Sequence, residues 1–346
     1  MAVTLQEIAE KVGVSRGTVD RALNNRGSIR PELAEEIKNI AVEMGYSPNR
    51  AGRALAMAKR AIRIGAIVQE VETPFIQRLV KGIEKAKEEV ENMGGIVIVK
   101  ELRGSNAAMT IKAMEELRQE GVYAIAINPI QDDKLKEVIN RFVEEYNIPI
   151  VTMNTDLIDT KRLCYVGQNS EECGRAAAGL MHEIIQEKGE VAVLSGYPSN
   201  PCTEGRVEGF VSEIDKSCPD LKVLEPKYTF NNDQMAEVIA KQCIGENPHL
   251  KGIYITSHAE EAVCKALRED FPDRKVRVIA NDVLDNNRKE LVQEQVSFLL
   301  EQDPYTQGGE PIMILFRLLF DGEAPKKEYQ YTDIIIRTKY NITRYL

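Results

Sequence analysis

Enzyme chemistry needs a nucleophile, an acid–base pair or a metal set at workable spacing, and this sequence offers few of these. Its three histidines, His182, His249 and His258, have no sequence partners that would form a triad or a metal pair. His258 reads as a candidate site residue and the other two as surface. The six cysteines, Cys164, Cys173, Cys202, Cys218, Cys243 and Cys264, contain no CxxC, so they read as buried thiols of a reducing compartment. Glycine-rich phosphate loops, a G-x-S-x-G elbow and an H-E-x-x-H pair are all absent. The expectation is a chain with no catalytic residue, no metal and no cofactor.

A different chemistry is offered at the N-terminal end. The net charge of -9 argues at first against nucleic acid, but residues 1–60 hold ten Lys/Arg against seven Asp/Glu, and residues 61–346 hold 35 against 47. A balance of +3 therefore precedes one of -12, and the two parts have different partners. Within the basic part, Arg16, Gly17, Asp20 and Arg21 fall on the outward side of a short helix whose Val19, Ala22 and Leu23 face in. An exposed, basic helical start of this kind suits the major groove of DNA.

Three amphipathic stretches position that helix. The first runs from about Leu5 to Lys11, opened by a Thr4/Glu7 capping box and closed by Gly13. Ser15 caps the second, and the third spans about Pro31 to Met44, with proline in its first turn and Gly45 after it. Helix, tight glycine turn and helix at this spacing is a helix-turn-helix signature.

The frame T-L-x-x-I-A, G-V-S-x-x-T-V-x-R-x-L-N and G-Y-x-P-N, covering about 55 contiguous residues, resembles the head of the lactose/galactose repressor (LacI/GalR) family. The resemblance implies a DNA-binding domain over 1–46 and a hinge over 47–60. It places Arg16 and Gly17 at the base-reading positions, with Arg16 pairing bidentately with a guanine. Gly17 has no side chain, so the head reads fewer bases directly or lets Arg16 approach closer. Thr4, Ser15, Thr18, Arg21 and Asn24 are implied to hold phosphate or support the fold, as are the hinge residues Asn49, Arg50 and Arg53. Asp20 replaces a frequent serine and reads as a solvated acid or a partner for a nearby arginine. Leu55 is implied to wedge between base pairs when the hinge orders on DNA.

From Ile62 onward, apolar strands alternate with helices of 12 to 18 residues. Strands are expected at 64–68, 96–99, 123–128, 148–153, 191–194, 223–228, 252–256, 276–280 and 296–300. Continuous Val/Ile/Ala runs between helices mean parallel sheets covered on both faces, and the body is too long for one sheet, so two α/β lobes are expected. The segments "IGAIVQEVETPFIQRLVKG", "IPIVTMNTD", "GRVEGF", "VIANDV" and "EQDPYTQGG" resemble the type I periplasmic sugar-binding proteins of the ribose-binding branch. That resemblance implies three crossings between lobes near 161, 303 and 327. Lobe one then comprises about 61–161 and 303–326, and lobe two 162–302 and 327–346.

Carried over position by position, the resemblance implies an effector site of Thr73, Phe75, Ile76, Asn154, Thr155, Glu204, Ser257, Asp282 and Gln302. Phe75 would stack on a sugar face, Ile76 stands where a second aromatic is expected, and Thr155 and Glu204 stand where the branch has arginines. Asp282 and Gln302 keep the expected types. Asp156 is expected to add a further acid, and Arg206 to brace its loop. A pocket of Asp282, Glu204 and Asp156 without a matched cation suits a neutral sugar or polyol, or an amino-bearing one.

The whole implies a homodimeric transcriptional regulator, most simply a repressor, that binds palindromic double-stranded operator DNA under control of a small sugar-like effector. A non-sugar effector or a protein co-regulator is the alternative signal, and a transported-solute receptor a remote one. The start "MAVTLQEIAEKVGVS" lacks a secretion signal and no run is long enough to span a membrane, so a bacterial cytoplasmic, nucleoid-associated protein is expected. The C-terminal segment carries no heptad repeat, so no tetramerising bundle is expected.

Overall fold

The structure, a computed structural model, describes residues 3–23, 29–44, 61–198 and 200–342. The head contains α1 (Leu5–Val12), α2 (Arg16–Leu23) and α3 (Pro31–Glu43). Thr4 Oγ1 accepts from the Glu7 N–H at 3.3 Å while the Thr4 N–H donates to Glu7 Oε2 at 2.7 Å. Those backbone and hydroxyl bonds also hold the Glu7 carboxyl below its ordinary pKa. Gly13 closes α1 at φ 77, a left-handed conformation that glycine adopts without a Cβ penalty. Ser15 Oγ accepts from the Thr18 N–H and so caps α2. Ile8, Ala9, Val19, Ala22, Ile37 and Ala41 form the small core between these helices.

Two sheets make the body. The first holds β1 (Arg63–Val68), β2 (Ile96–Glu101), β3 (Ala124–Ile127), β4 (Ile150–Met153), β5 (Cys164–Gln168) and β12 (Tyr329–Thr332). They lie in the order β12-β5-β4-β3-β1-β2, with every neighbouring pair parallel. The second holds β6 (Gly189–Ser195), β7 (Leu221–Val223), β8 (Lys227–Tyr228), β9 (Leu250–Ile255), β10 (Arg277–Asn281), β11 (Phe298–Glu301) and β13 (Ile335–Arg337). Its order is β13-β11-β10-β9-β6-β7, with β8 also on β6 and only β13 antiparallel to its neighbour. Strand β3 is buried at every position, and Ile64 and Ala66 face one core while Ile67 faces another, as expected of a sheet covered on both sides.

The chain passes between lobes after β5, between β11 and the helix at 304, and between β12 and β13. The second crossing lies where expected at 303, but the first and third come later than 161 and 327. The cause is two strands that the sequence pattern hides. "CYVGQ" mixes glycine and glutamine into a fully buried strand, and "YQYT" is an edge strand with alternating exposure and no aliphatic residue. The single strand expected at 223–228 is two short pieces, because Pro226 supplies no N–H to a ladder.

Nine helices cover the sheets among the described residues: α4 (Pro74–Asn92), α5 (Ala107–Gln119), α6 (Asp133–Glu144), α7 (Ser170–Ile184), α8 (Pro201–Ser217), α9 (Asp233–Glu246), α10 (Glu260–Glu269), α11 (Asp285–Val292) and α12 (Pro304–Asp321). Each lobe contains one helix pair brought close by glycine. A Cβ on Gly308 of α12 would stand 2.1 Å from the Leu79 carbonyl of α4, and one on Gly174 of α7 would stand 2.1 Å from the Arg206 carbonyl of α8. These contacts fix the two helices, α8 and α12, that bring side chains to the cleft.

Candidate functional site

Two sites take shape from these elements. On the head, α2 presents Ser15, Arg16, Gly17 and Arg21 to solvent, with Thr18 half-buried beneath them. Arg21 Nε donates to the Gly17 carbonyl at 3.0 Å, which folds its side chain back along the helix and leaves Arg16 as the outermost cation of the first turn. Thr4 is committed to the α1 cap, its Oγ1 donating to Glu7 Oε2 at 2.9 Å. Asn24, Asn49, Arg50, Arg53 and Leu55 lie outside the described residues.

The second site is the cleft between the carboxyl ends of the two sheets, where open parallel sheets bind ligands. Four residues within three positions of strand ends, Glu70, Asn154, His258 and Asp282, have φ between 49° and 65°. A non-glycine residue in that region is strained, and such residues gather where the chain must aim a side chain. Asn154 follows β4 of lobe one and Asp282 follows β10 of lobe two. A line of amides joins them: Asn154 Nδ2 donates to Gln307 Oε1 at 3.0 Å, Gln307 Nε2 to Gln302 Oε1 at 3.2 Å, and Gln302 Nε2 to Asp282 Oδ1 at 2.9 Å. Asn128, at the end of β3, extends the line on lobe one by donating to Asn154 Oδ1 at 3.4 Å.

Other ties join the lobes. Cys202, at the start of α8, donates its S–H to the Asn154 carbonyl at 3.4 Å, and Thr155 Oγ1 lies 3.9 Å from the same sulfur. Arg78 of α4 donates to the Val283 carbonyl. Arg206 is 3% exposed and donates to the Thr256 carbonyl at 2.9 Å and to Gln168 Oε1, at the end of β5, at 3.3 Å. Burial works against its charged form, but the facing Asp282 charge and its neighbours outweigh that, so its pKa stands above the ordinary value.

Three buried polar atoms in this region have no hydrogen-bond partner among the described residues: Gln168 Nε2, Arg206 Nε and Glu204 Oε1. The other Glu204 oxygen accepts from the Tyr228 hydroxyl at 3.2 Å. Burial raises the Glu204 carboxyl, the Tyr228 bond lowers it, and nearby Glu208 adds to the rise. Unpaired buried donors and acceptors are costly, and two of these atoms belong to Gln168 and Arg206, which meet between the lobes. A cavity of about 720 Å³ also lies between the lobes, with Arg78 and Lys81 on one side and Glu237, His258 and Glu260 on the other, and none of Asn154, Gln168, Glu204, Arg206, Asp282 and Gln302 lines it.

The structure links Asn154, Gln302 and Asp282 through Gln307, sets Thr155 against Cys202 and Glu204 against Tyr228, and places Thr73 and Phe75 at the start of α4 on lobe one. Ser257 follows β9 and donates to Asn231 Oδ1 at 3.1 Å. Two expectations need correction. Ile76 is 4% exposed and belongs to the core of lobe one, so it offers no cleft surface. Asp156 is not a free acid: Arg162 grips both its carboxylate oxygens, each at 2.6 Å. Five cysteines are buried as expected, while Cys202 is partly buried, its thiol against the Asn154 carbonyl. His258 sits at the cleft mouth 2.8 Å from Asp233, and His182 and His249 are exposed.

The sequence reading passed over Asn128, Gln168 and the pair Tyr197 and Phe230. The first two end strands, so the rule that ligands gather at strand ends would have found them. Tyr197 and Phe230 pack edge to face at 5.5 Å on the rim of lobe two, 46% and 44% exposed. Phe230 and Asn231 both have φ near 50°, a turn that seats Asn231 Oδ1 2.6 Å from where a Gly196 Cβ would be. Nothing in local spacing announces such a turn.

Comparison with known proteins agrees with this architecture. The family described as bacterial regulatory proteins, lacI family, matches residues 4–49, and the periplasmic binding protein domain family matches residues 64–324. A probable transcriptional repressor ExuR of Bacillus subtilis is 25% identical over 217 residues, 61% of this chain and 60% of that protein. The match therefore spans less than two thirds of that relative's length. The ribose operon repressor of Halalkalibacterium halodurans is 23% identical over 73% of this chain and 71% of its own. Among solved structures, a glucose-galactose binding protein from Geobacillus stearothermophilus superposes with a TM-score of 0.72 at 20% identity, over 82% of this chain and 99% of that one. A sugar-binding protein of a Bacillus halodurans transporter gives 0.73 at 24% identity, over 82% and 100%. Head and body together, the chain belongs to the lacI family of bacterial regulatory proteins, with a periplasmic binding protein domain as its body.

Proposed function

We propose that this protein is a cytoplasmic, homodimeric transcriptional repressor that binds a palindromic operator through its head and senses a neutral sugar or polyol in its cleft. The observation that carries the sensing half is that two buried donors without partners among the described residues, Gln168 Nε2 and Arg206 Nε, belong to side chains that meet between the lobes, while Glu204 Oε1, an acceptor in the same state, lies on the same helix as Arg206. Two donors and one acceptor match the hydroxyls of a polyol, each of which both donates and accepts. Arg206 adds a cation to the pocket, but Asp282 opposes its charge. A phosphate would therefore meet acids as well as the guanidinium. Phe75 on lobe one and Phe230 on lobe two offer the apolar faces against which a sugar ring stacks.

For the operator half, Arg16 is exposed on the first turn of α2. Selection of duplexes from a random pool by the full-length protein should enrich an inverted repeat. Arg16→Ala should weaken binding to the selected duplex by about 1 to 3 kcal/mol and relax preference at one base pair per half-site. A thermal-shift panel of neutral sugars, sugar phosphates and amino sugars tests the sensing half. Failure to enrich any duplex would remove the operator reading, and stabilisation by sugar phosphates alone would remove the neutral-ligand reading.

A further inference from the structure

The amide line across the cleft has a direction. Every link is an NH₂ group donating to the oxygen of the next residue, from Asn128 to Asn154, to Gln307, to Gln302, and finally to Asp282. The terminal group sets this direction, because an ionised carboxylate only accepts. Gln302 must turn its NH₂ toward Asp282, which leaves its oxygen facing Gln307 and forces the Gln307 NH₂ toward it. The Gln307 oxygen then faces Asn154 and accepts from it. No amide in the line can flip alone without setting two acceptors or two donors against each other.

Gln307 is the centre of this arrangement. It is fully buried on the first turns of α12, and its Nε2 also lies 3.3 Å from Thr332 Oγ1. Its three partners come from three places: Asn154 from the end of β4, Gln302 from the crossing after β11, and Thr332 from the end of β12, next to the crossing into β13. The backbone beneath it is fixed by the close approach of Gly308 to α4. We infer that Gln307 is a positioning residue: it sets the orientation of Asn154, Gln302 and Asp282 and ties them to the second and third crossings between lobes. The inference rests on the reading that these three residues hold the effector. An effector hydroxyl that donates to Asp282 competes with Gln302, and the displaced Gln302 oxygen moves the Gln307 contact that holds both crossings.

The polarity of the line makes the role testable without effector or operator, so failure of this inference and failure of the proposed function are separable. Gln307→Glu keeps the shape but supplies two acceptors when ionised, one of which faces the Gln302 oxygen. Protonated, it donates an O–H in place of the NH₂. Burial and the nearby Asp282 charge raise the pKa of such a carboxyl, while the Arg206 cation, which lies near Asp282, opposes the rise. In urea unfolding the full-length variant should come closest to wild type near pH 4. As pH rises from the unfolded carboxyl value to the raised pKa, its unfolding equilibrium constant relative to wild type should increase by up to tenfold per unit, and level off above it.

Gln307→Glu should lose much less at pH 8.5 when it is introduced into Asp282→Asn, measured against Asp282→Asn alone, than when it is introduced into wild type. The amide introduced by Asp282→Asn donates to the Gln302 oxygen, the Gln302 NH₂ then turns to the carboxylate introduced by Gln307→Glu, and that half of the line runs in reverse. Hydrogen exchange at residues 302–307 and 329–334 should rise in Gln307→Glu at pH 8.5 and fall back in the double variant. Gln307→Met should lose stability equally at both pH values and gain nothing from Asp282→Asn. If Gln307→Glu does not fold at pH 8.5, Gln302→Glu, which sets a carboxylate against Asp282, serves as the second variant with the same expected rescue. A pH-independent loss in the glutamate variant, or no rescue by Asp282→Asn, overturns the inference and leaves Gln307 a packing residue.

Discussion

Arg206 offers the sharpest test of how the cleft is held, because it is a nearly fully buried cation serving both lobes. Its guanidinium reaches the Thr256 carbonyl of lobe two at 2.9 Å and Gln168 of lobe one at 3.3 Å, and the Asp282 charge faces it. Arg206→Met fills a similar volume but removes the charge and both bonds. Each hydrogen bond from a charged donor contributes roughly 1.5 to 3 kcal/mol. Removing one member of a buried charge arrangement costs about 3 to 5 kcal/mol, because the other is left without compensation. A loss of about 3 to 5 kcal/mol is therefore expected, a large part of the roughly 5 to 15 kcal/mol that holds an ordinary domain. Urea unfolding followed by circular dichroism measures it as a fall in midpoint at unchanged slope. Adding Asp282→Asn removes the stranded carboxylate, so the double variant should be more stable than the sum of the two single losses predicts, by more than about 0.5 kcal/mol. A loss under about 1 kcal/mol, or strict additivity, would refute the coupling between Arg206 and Asp282.

Two further outcomes follow from the same geometry. Glu204 has its pKa raised chiefly by burial, so its ionisation destabilises the fold as pH climbs from the unfolded carboxyl value through the raised one. Glu204→Gln should therefore match wild type near pH 4 and exceed it in stability by a growing margin that levels off above the raised pKa; a margin independent of pH would count against the assignment. On α7, Gly174→Ala sets a methyl 2.1 Å from the Arg206 carbonyl and should cost about 1 to 3 kcal/mol. Gly179→Ala on the same helix meets nothing within 4 Å and should gain about 0.5 to 1 kcal/mol, so equal effects at the two positions would refute the close-packing account.

The head was legible almost residue by residue because its signals are local. A capping box, a left-handed glycine and a proline-led third helix each fix a boundary within one turn, and the structure places α1, α2 and α3 at those signals. The lobes were legible as alternating strands and helices, but β5 and β12 were not. Their burial or pairing comes from partners far along the chain rather than from an apolar run, and losing them displaced two of the three crossings. In the cleft, Asn154, Asp282 and Gln302 were named through the resemblance to the ribose-binding branch, and each directly follows a strand. Gln307 was not, since a glutamine inside a helix reads as solvent-facing until its three partners are known. Asp156 misled for the opposite reason: an acid just past a strand resembles a ligand group until Arg162, six positions on, claims it.

Two costs meet in the cleft. Left-handed non-glycine residues stand beyond four strand ends, and Gln168 Nε2, Arg206 Nε and Glu204 Oε1 have no hydrogen-bond partner among the described residues. Each orphaned group costs roughly 1 to 3 kcal/mol, so the three together hold about 3 to 9 kcal/mol that a bound molecule could recover by supplying the missing bonds. A near-complete switch between two lobe arrangements requires an effector to favour one by about 5.5 kcal/mol. The unmet hydrogen-bonding capacity of Gln168, Arg206 and Glu204 is thus of the size that the proposed switch demands. Because Gln168 ends a strand of lobe one while Arg206 and Glu204 ride on α8 of lobe two, those bonds are satisfied together only in an arrangement that keeps the lobes close. A polyol spanning them would select that arrangement over any more open one, which makes differential binding a property of the cleft itself.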